Sequence, residues 1–171
     1  FRGVPYSFQV PPRVGDNRGL IKKAISKDLE RSYLMTKVLI VYSSQTGNTE
    51  EMAKALEEGA KSVKGATVIL KKAADTTDRD LISCDAVAFG SQTTFGYISG
   101  ALKDFFDRTL IQCREKTKDK PYCTFTSSGM GKRKALEVLD GIAFAYGLKK
   151  VGEGVMSKGK PTPEEIAELK T

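Results

Sequence analysis

From Lys37 onward, apolar residues recur along the chain in two alternating rhythms. Lys37–Ser43 (KVLIVYS) is a nearly continuous β-branched and apolar run, the pattern of a strand buried on both faces of a parallel sheet. Met52, Ala53, Leu56 and Ala60 then fall at helical spacing, with Glu50 and Glu51 in the first turn, where carboxylates favour a helix N-terminus. The same alternation repeats. Thr67–Ala73 predicts a second strand and Asp85–Gly90 a third, followed by a helix through Ile98, Ala101, Leu102, Phe105 and Phe106. Tyr122–Thr126 predicts a fourth strand, and Leu136, Leu139, Ile142, Ala143 and Tyr146 a helix that Gly147 stops. Leu148–Met156 is the fifth strand, interrupted by Gly152 and Gly154. Thr162-Pro163-Glu164-Glu165 is a capping box with proline in the first turn, so a short last helix begins there. Strands alternating with helices predict an α/β fold: a mostly parallel sheet, right-handed crossovers and helices on both faces.

The first 36 residues read differently. Pro5, Pro11, Pro12, Gly3 and Gly15 make residues 1–17 an extended arm. Leu20, Ile21, Ala24, Ile25, Leu29, Tyr33 and Leu34 then outline an amphipathic helix behind Asp16 and Asn17. The expected organisation is therefore an appended segment, 1–36, and a domain, 37–171. The last helix is too short to cover one flank of a five-stranded sheet. The amphipathic segment is expected to pack there or on a second subunit, making a homo-oligomer.

A chain of 171 residues with 40% hydrophobic and 29% charged residues has the balance of an ordinary globular domain. No segment approaches the roughly 20 apolar residues of a membrane span, and the N-terminus lacks the order of a signal peptide, so a cytoplasmic protein without membrane contact is expected. The chain has no histidine, which removes Ser-His and Cys-His catalysis and His-ligated zinc. Cys84, Cys113 and Cys123 are widely spaced, outside any CxxC pair, and read as free thiols. The net charge of +7 lies largely in residues 1–36, which hold seven Lys or Arg against three acids. No aromatic residues interleave the later clusters, Lys116/Lys118/Lys120 and Lys132/Arg133/Lys134, so a solvated surface is expected and nucleic acid is not.

In a doubly wound sheet, ligands bind beyond the carboxyl ends of the strands. The loops there read Ser44-Gln45-Thr46-Gly47-Asn48-Thr49, then Ser91-Gln92-Thr93-Thr94-Phe95-Gly96-Tyr97, then Ser127-Ser128-Gly129-Met130-Gly131. All are rich in hydroxyls and glycine. The first runs from a buried strand straight into a helix, so backbone N–H groups and the positive end of the helix dipole converge on one point, where an anion belongs. Ser44, Thr46, Thr49 and Asn48 add donors, and Gly47 lets the backbone approach closely. A nucleoside triphosphate loop is excluded, because Gly131-Lys132 is followed by Arg133 and Thr126 stands where the first glycine is needed. A GxGxxG dinucleotide fingerprint is also missing after the first strand.

Ser44-Gln45-Thr46-Gly47-Asn48-Thr49-Glu50 after KVLIVYS resembles the FMN phosphate loop of flavodoxins, a resemblance covering about residues 37–170. Gly90–Gly96 with Ser99-Gly100 and Phe106-Asp107-Arg108-Thr109 is similar to the flavin loop and following helix of the flavodoxin-like quinone reductases, although Gln92 stands where proline is usual. The resemblance implies a flavodoxin-like three-layer sandwich whose five-stranded parallel sheet has the order 2-1-3-4-5. It implies FMN as cofactor: Ser44, Gln45, Thr46, Gly47, Asn48 and Thr49 would hold the phosphate. Gln92, Thr93, Thr94, Phe95 and Gly96 with Ser127, Ser128 and Gly129 would flank the isoalloxazine ring, with Phe95 and Tyr97 against its faces or edges. No side chain is read as acid, base or nucleophile. The first expectation is an electron-transfer flavoprotein serving redox partner proteins. The alternatives are an NAD(P)H-dependent quinone oxidoreductase, taking a small quinone or nicotinamide, and a flavin-free interaction module. Lys132, Arg133 and Lys134 follow the third loop, and their charge is expected to favour a reduced, anionic flavin.

Overall fold

The computed structural model describes residues 36–171; the arm, the amphipathic segment and its packing lie outside the described residues. Strand β1 (Thr36–Ser43) is central because its run of Leu39, Ile40, Val41 and Tyr42 is buried on both sides. It pairs in parallel with β2 (Ala66–Lys72) on one side and β3 (Ala86–Gln92) on the other, and β3 pairs with β4 (Pro121–Ser127). The sheet order is β2-β1-β3-β4, with the fifth position beside β4, as the resemblance implies.

That fifth position is split. Lys149–Lys150 (β5) pairs with Pro121 and Tyr122, and Val155–Ser157 (β6) pairs with Phe125–Ser127. The intervening glycines explain the break. Gly152 has a φ of 76°, and a Cβ on Gly154 would lie 2.5 Å from Thr124 Oγ1. One glycine turns the chain out and the other lets it return against β4.

Helices cover both faces. Leu81 of α2 (Asp78–Ser83), Leu102, Phe105 and Phe106 of α3 (Gly100–Cys113), and Leu139 and Ala143 of α4 (Lys134–Ala145) with its C-cap Tyr146 pack on Leu39, Val41, Val87, Phe89 and Tyr122. The alternate residues of the same strands, Ile40, Tyr42, Ala88 and Phe125, meet Met52 and Ala53 of α1 (Asn48–Ser62) and Leu169 of α5 (Pro163–Lys170). Each fully buried large side chain contributes about 1.5–3 kcal/mol, so this two-sided burial dominates the stability of the unit. Gly90 sits in register with Phe125, and a Cβ there would lie 2.1 Å from the Phe125 ring. Gly59 likewise admits the backbone of Lys170, whose carbonyl oxygen would be 2.5 Å from an added Cβ. The Tyr146 hydroxyl, buried behind the aromatic cluster, donates to the Phe106 carbonyl at 2.7 Å.

Two elements differ from the sequence expectation in a way that matters for function. β3 continues through Ser91 to Gln92 and β4 through to Ser127, because Ser91 pairs with Thr126 and Gln92 with Ser127 in parallel register. Residues read as loop are therefore held on strand ends. The short helix α2, closed by a reciprocal Thr77/Asp80 capping box, lies in a stretch where no element was expected.

Candidate cofactor site

The β1–α1 turn leaves its helix start open. Gly47, at φ 90°, is the N-cap of α1, and no side chain among the described residues caps it. In contrast, Thr77 and Thr162 form reciprocal capping boxes on α2 and α5, and Ser99 caps α3. The first N–H groups of any helix lack intrahelical partners, so those of Asn48, Thr49 and Glu50 remain donors at the positive end of a 15-residue helix. The Gly47 N–H donates to Ser44 Oγ at 3.1 Å, which folds the turn back on itself. Gln45 and Thr46 are exposed around it, and Asn48 is half-buried. Glu50 faces away in an ion pair with Lys54 at 2.7 Å, and that hydrogen bond holds its carboxyl below the usual carboxylate range.

The second turn follows β3. The Ser91 hydroxyl donates to the Gln92 carbonyl at 2.7 Å and accepts the Ser99 N–H at 2.9 Å, tying the strand end to the start of α3. The Thr93 N–H donates to the Ser127 carbonyl at 2.9 Å. Thr94 and Tyr97 exchange both backbone hydrogen bonds at 2.9 Å around Phe95 and Gly96, whose φ angles are 51° and 76°. Positive φ at both central residues makes this a type I′ turn, an uncommon setting for phenylalanine. The turn holds the Phe95 ring fully in solvent and Tyr97 43% exposed.

The third turn packs between the other two. Ser127 and Ser128 are buried, and Thr49 Oγ1 hydrogen-bonds Ser127 Oγ at 2.7 Å, joining the first turn to the third through the interior. The Ser128 N–H donates to the Ser157 carbonyl at 2.8 Å, and the Ser128 carbonyl accepts from Gly131 and Gly159 at 3.1 and 3.2 Å. The loop after β6 is thereby brought to the same place.

These turns enclose a cavity of about 440 Å³ at the carboxyl edge of the sheet. Its lining comprises Gln45, Thr46, Asn48, Gln92, Thr93, Thr94, Phe95, Ser127, Ser128, Gly129 and Gly159. Ten of these residues were expected from the sequence and one, Gly159, was not. Ser44, Gly47, Thr49, Gly96 and Tyr97, also expected, do not line it; they shape the turns from behind or beside. One atom stands out: Gln92 Oε1 is buried with no hydrogen-bond partner among the described residues. A buried acceptor left this way carries a desolvation penalty of about 1–3 kcal/mol unless a ligand donates to it. A second cavity, about 520 Å³ and bordered by Arg114, Asp119 and Phe144, lies at the opposite edge, away from the strand ends where this architecture binds ligands.

Residues 40–169 match the flavodoxin family. The chain belongs to it. Over 95 residues it is 41% identical to a flavodoxin of Aquifex aeolicus, an alignment covering 56% of this chain and 51% of that protein, so the chain spans about half the length of this relative. An archaeal flavodoxin superposes with a TM-score of 0.69 at 26% identity, covering 78% of this chain and 91% of its own. The two-electron reduced flavodoxin of Megasphaera elsdenii gives 0.66 at 27%, covering 78% and 97%. The rubredoxin oxygen:oxidoreductase of Desulfovibrio gigas shares the fold, with a TM-score of 0.71 at 23% identity, over 89% of this chain and 38% of that one.

Flavodoxins bind FMN, and the residues of this member fit that group. An open helix start with hydroxyl and amide donors suits a phosphomonoester, and the buried Gln92 Oε1 suits an N–H of the flavin ring. No cluster of potential metal ligands occurs among the described residues, and the three cysteines are free. Nor is any described helix long and apolar enough to cross a membrane.

Proposed function

We propose that this flavodoxin-family chain holds FMN non-covalently in the 440 Å³ cavity and serves as an electron carrier between redox partner proteins. The observation that carries the reading is the convergence of three strand-end turns on one cavity, an uncapped helix start among them and an unpartnered buried acceptor on the wall. The bound flavin supplies the one- and two-electron chemistry, and the chain supplies binding, orientation and exclusion of water. The backbone N–H groups of α1 with Gln45, Thr46 and Asn48 hold the phosphate, and Ser44, Gly47 and Thr49 keep that turn in shape. Gln92–Thr94 and Ser127–Gly129 flank the ring, and Phe95, presented on its turn, shields it. The unit concerned is residues 37–171, and residues 1–36 are an appended segment.

The test is the absorbance spectrum of the purified protein after incubation with FMN and desalting. Two flavin bands and a rise in melting temperature are expected; colourless protein with an unchanged melting temperature refutes the reading. The same sample mixed with NADH or NADPH and a soluble quinone distinguishes a carrier from a quinone oxidoreductase, since a carrier oxidises the nicotinamide negligibly.

A further inference from the structure

The basic residues at the cavity come from two loops that are far apart in sequence and locked together in space. The turn after β4 brings Lys132 and Arg133, and the loop after β6 brings Lys158 and Lys160, all exposed. The Lys132 N–H donates to Ser128 Oγ at 3.3 Å, and the Gly159 N–H donates to the carbonyl of the same serine. The Lys158 stem lies against Gly131, with Cδ 3.3 Å from where a Cβ would stand. Lys132, Lys158 and Lys160 form no ion pair among the described residues, whereas neighbouring Lys134 is paired with Glu137 at 2.9 Å. The Arg133 guanidinium donates to the Gly154 carbonyl at 2.9 Å and keeps its charge beside the cluster.

Of the acids on flanking stretches of chain, two are already engaged. The Glu165 carboxylate is turned back to accept the Thr162 N–H at 2.8 Å and Glu50 is occupied by Lys54, while Glu164 is exposed. Met130, next to the lining residue Gly129, is 76% exposed, and Phe95 of the lining is fully exposed. Large apolar tips held in solvent with a cluster of unpaired cations nearby are the composition of a transient protein interface, which joins apolar contact to surrounding charge.

We propose that this face docks an acidic electron-carrier protein, with Lys132, Lys158 and Lys160 steering its approach and Met130 and Phe95 making the apolar contact. The proposal rests on the FMN reading and adds the sign of the partner. Complementary charge raises the rate of encounter more than the affinity, and salt screens it over about 10 Å at 0.1 M. Each transfer removes one electron from the reduced flavoprotein and converts one ferric centre of the partner to ferrous.

Stopped-flow oxidation of the fully reduced holoprotein, by an acidic rubredoxin and separately by a basic cytochrome c, tests this. With rubredoxin, the second-order rate should fall about tenfold between 20 and 500 mM salt, and with cytochrome c it should rise. Lys132→Glu/Lys158→Glu/Lys160→Glu should lower the low-salt rubredoxin rate about tenfold. Lys116→Glu/Lys118→Glu/Lys149→Glu, an equal change of net charge elsewhere, should leave it within about twofold. A yellow holoprotein whose rubredoxin rate is indifferent to salt, or that responds equally to both triple variants, overturns the docking surface and leaves the flavin reading intact. A preparation without flavin bands overturns both.

Discussion

Replacing Thr49 by valine removes one hydroxyl while keeping the shape of a side chain that is 0% exposed. Its partner, Ser127 Oγ at 2.7 Å, is 5% exposed and has no other hydrogen bond among the described residues. The intact bond is worth only about 1 kcal/mol net, but an orphaned buried hydroxyl costs about 1–3 kcal/mol. Thr49→Val and Ser127→Ala should therefore each destabilise the apoprotein by about 2 kcal/mol, or about 4–8 °C in melting temperature for a unit of this size. The double variant leaves nothing orphaned. It should lose only the net worth of the bond, about 1 kcal/mol, well short of the sum of the singles, giving a coupling of about 3 kcal/mol. Urea unfolding of the four apoproteins measures the cycle, and FMN titration of the same set shows whether loosening the joint between the first and third turns weakens binding. Additivity within about 0.5 kcal/mol would refute the claim that this hydrogen bond joins the two turns.

Gln92→Met should stabilise the apoprotein by about 1 kcal/mol, by removing the unpartnered acceptor, and weaken FMN binding severalfold, a sign reversal read by unfolding and by fluorescence titration. Equal apoprotein stability would show that water already satisfies Oε1, and unchanged affinity that it does not meet the ring. Gly90→Ala should cost about 1–3 kcal/mol, because its methyl collides with a Phe125 ring that is 1% exposed and cannot swing aside; a urea midpoint at the wild-type value counts against that packing. Burial pushes the Cys84 and Cys123 thiols up to about 11, and burial, with Asp140 beside it, pushes Tyr122 up to about 12. The folded state keeps these protons after the unfolded chain has lost them, so stability from these groups is complete below about pH 9 and declines as pH rises toward 12. Urea midpoints flat from pH 7 to 8.5 and falling above pH 9 check the sign, and native thiols should react with a disulfide reagent far more slowly than unfolded ones.

The central strands were legible because burial on both faces leaves almost no polar residue in KVLIVYS or DAVAFG, and the phosphate turn because it follows the first of them directly. What escaped depends on pairing. Ser91, Gln92 and Ser127 carry the polar side chains of a loop, and only the register of β3 on β4 shows that they are strand ends, with Gln92 and Ser127 at the cavity. Thr49 is chemically identical to Thr46 in the sequence, yet Thr49, in the first turn of α1, turns its hydroxyl into the core, while Thr46, ahead of the N-cap, stays exposed. α2 is six residues long with one buried side chain, Leu81, too short for any period to emerge. Gly159 lay in view between two lysines, but its place beside Ser128 follows from the split fifth position, which the interrupting glycines signalled without saying where the chain would rejoin.

Gly47 has an effect that reaches past the site. A helix begun by a hydroxyl is complete by itself, whereas α1 begins with donors left for a ligand, so saturation with a tightly bound phosphate ester at a hundred times its dissociation constant adds about 2.7 kcal/mol to the native state. Chains without that ligand stay easier to open and are cut sooner by proteases. Occupancy of one turn thereby sets how long the whole unit persists.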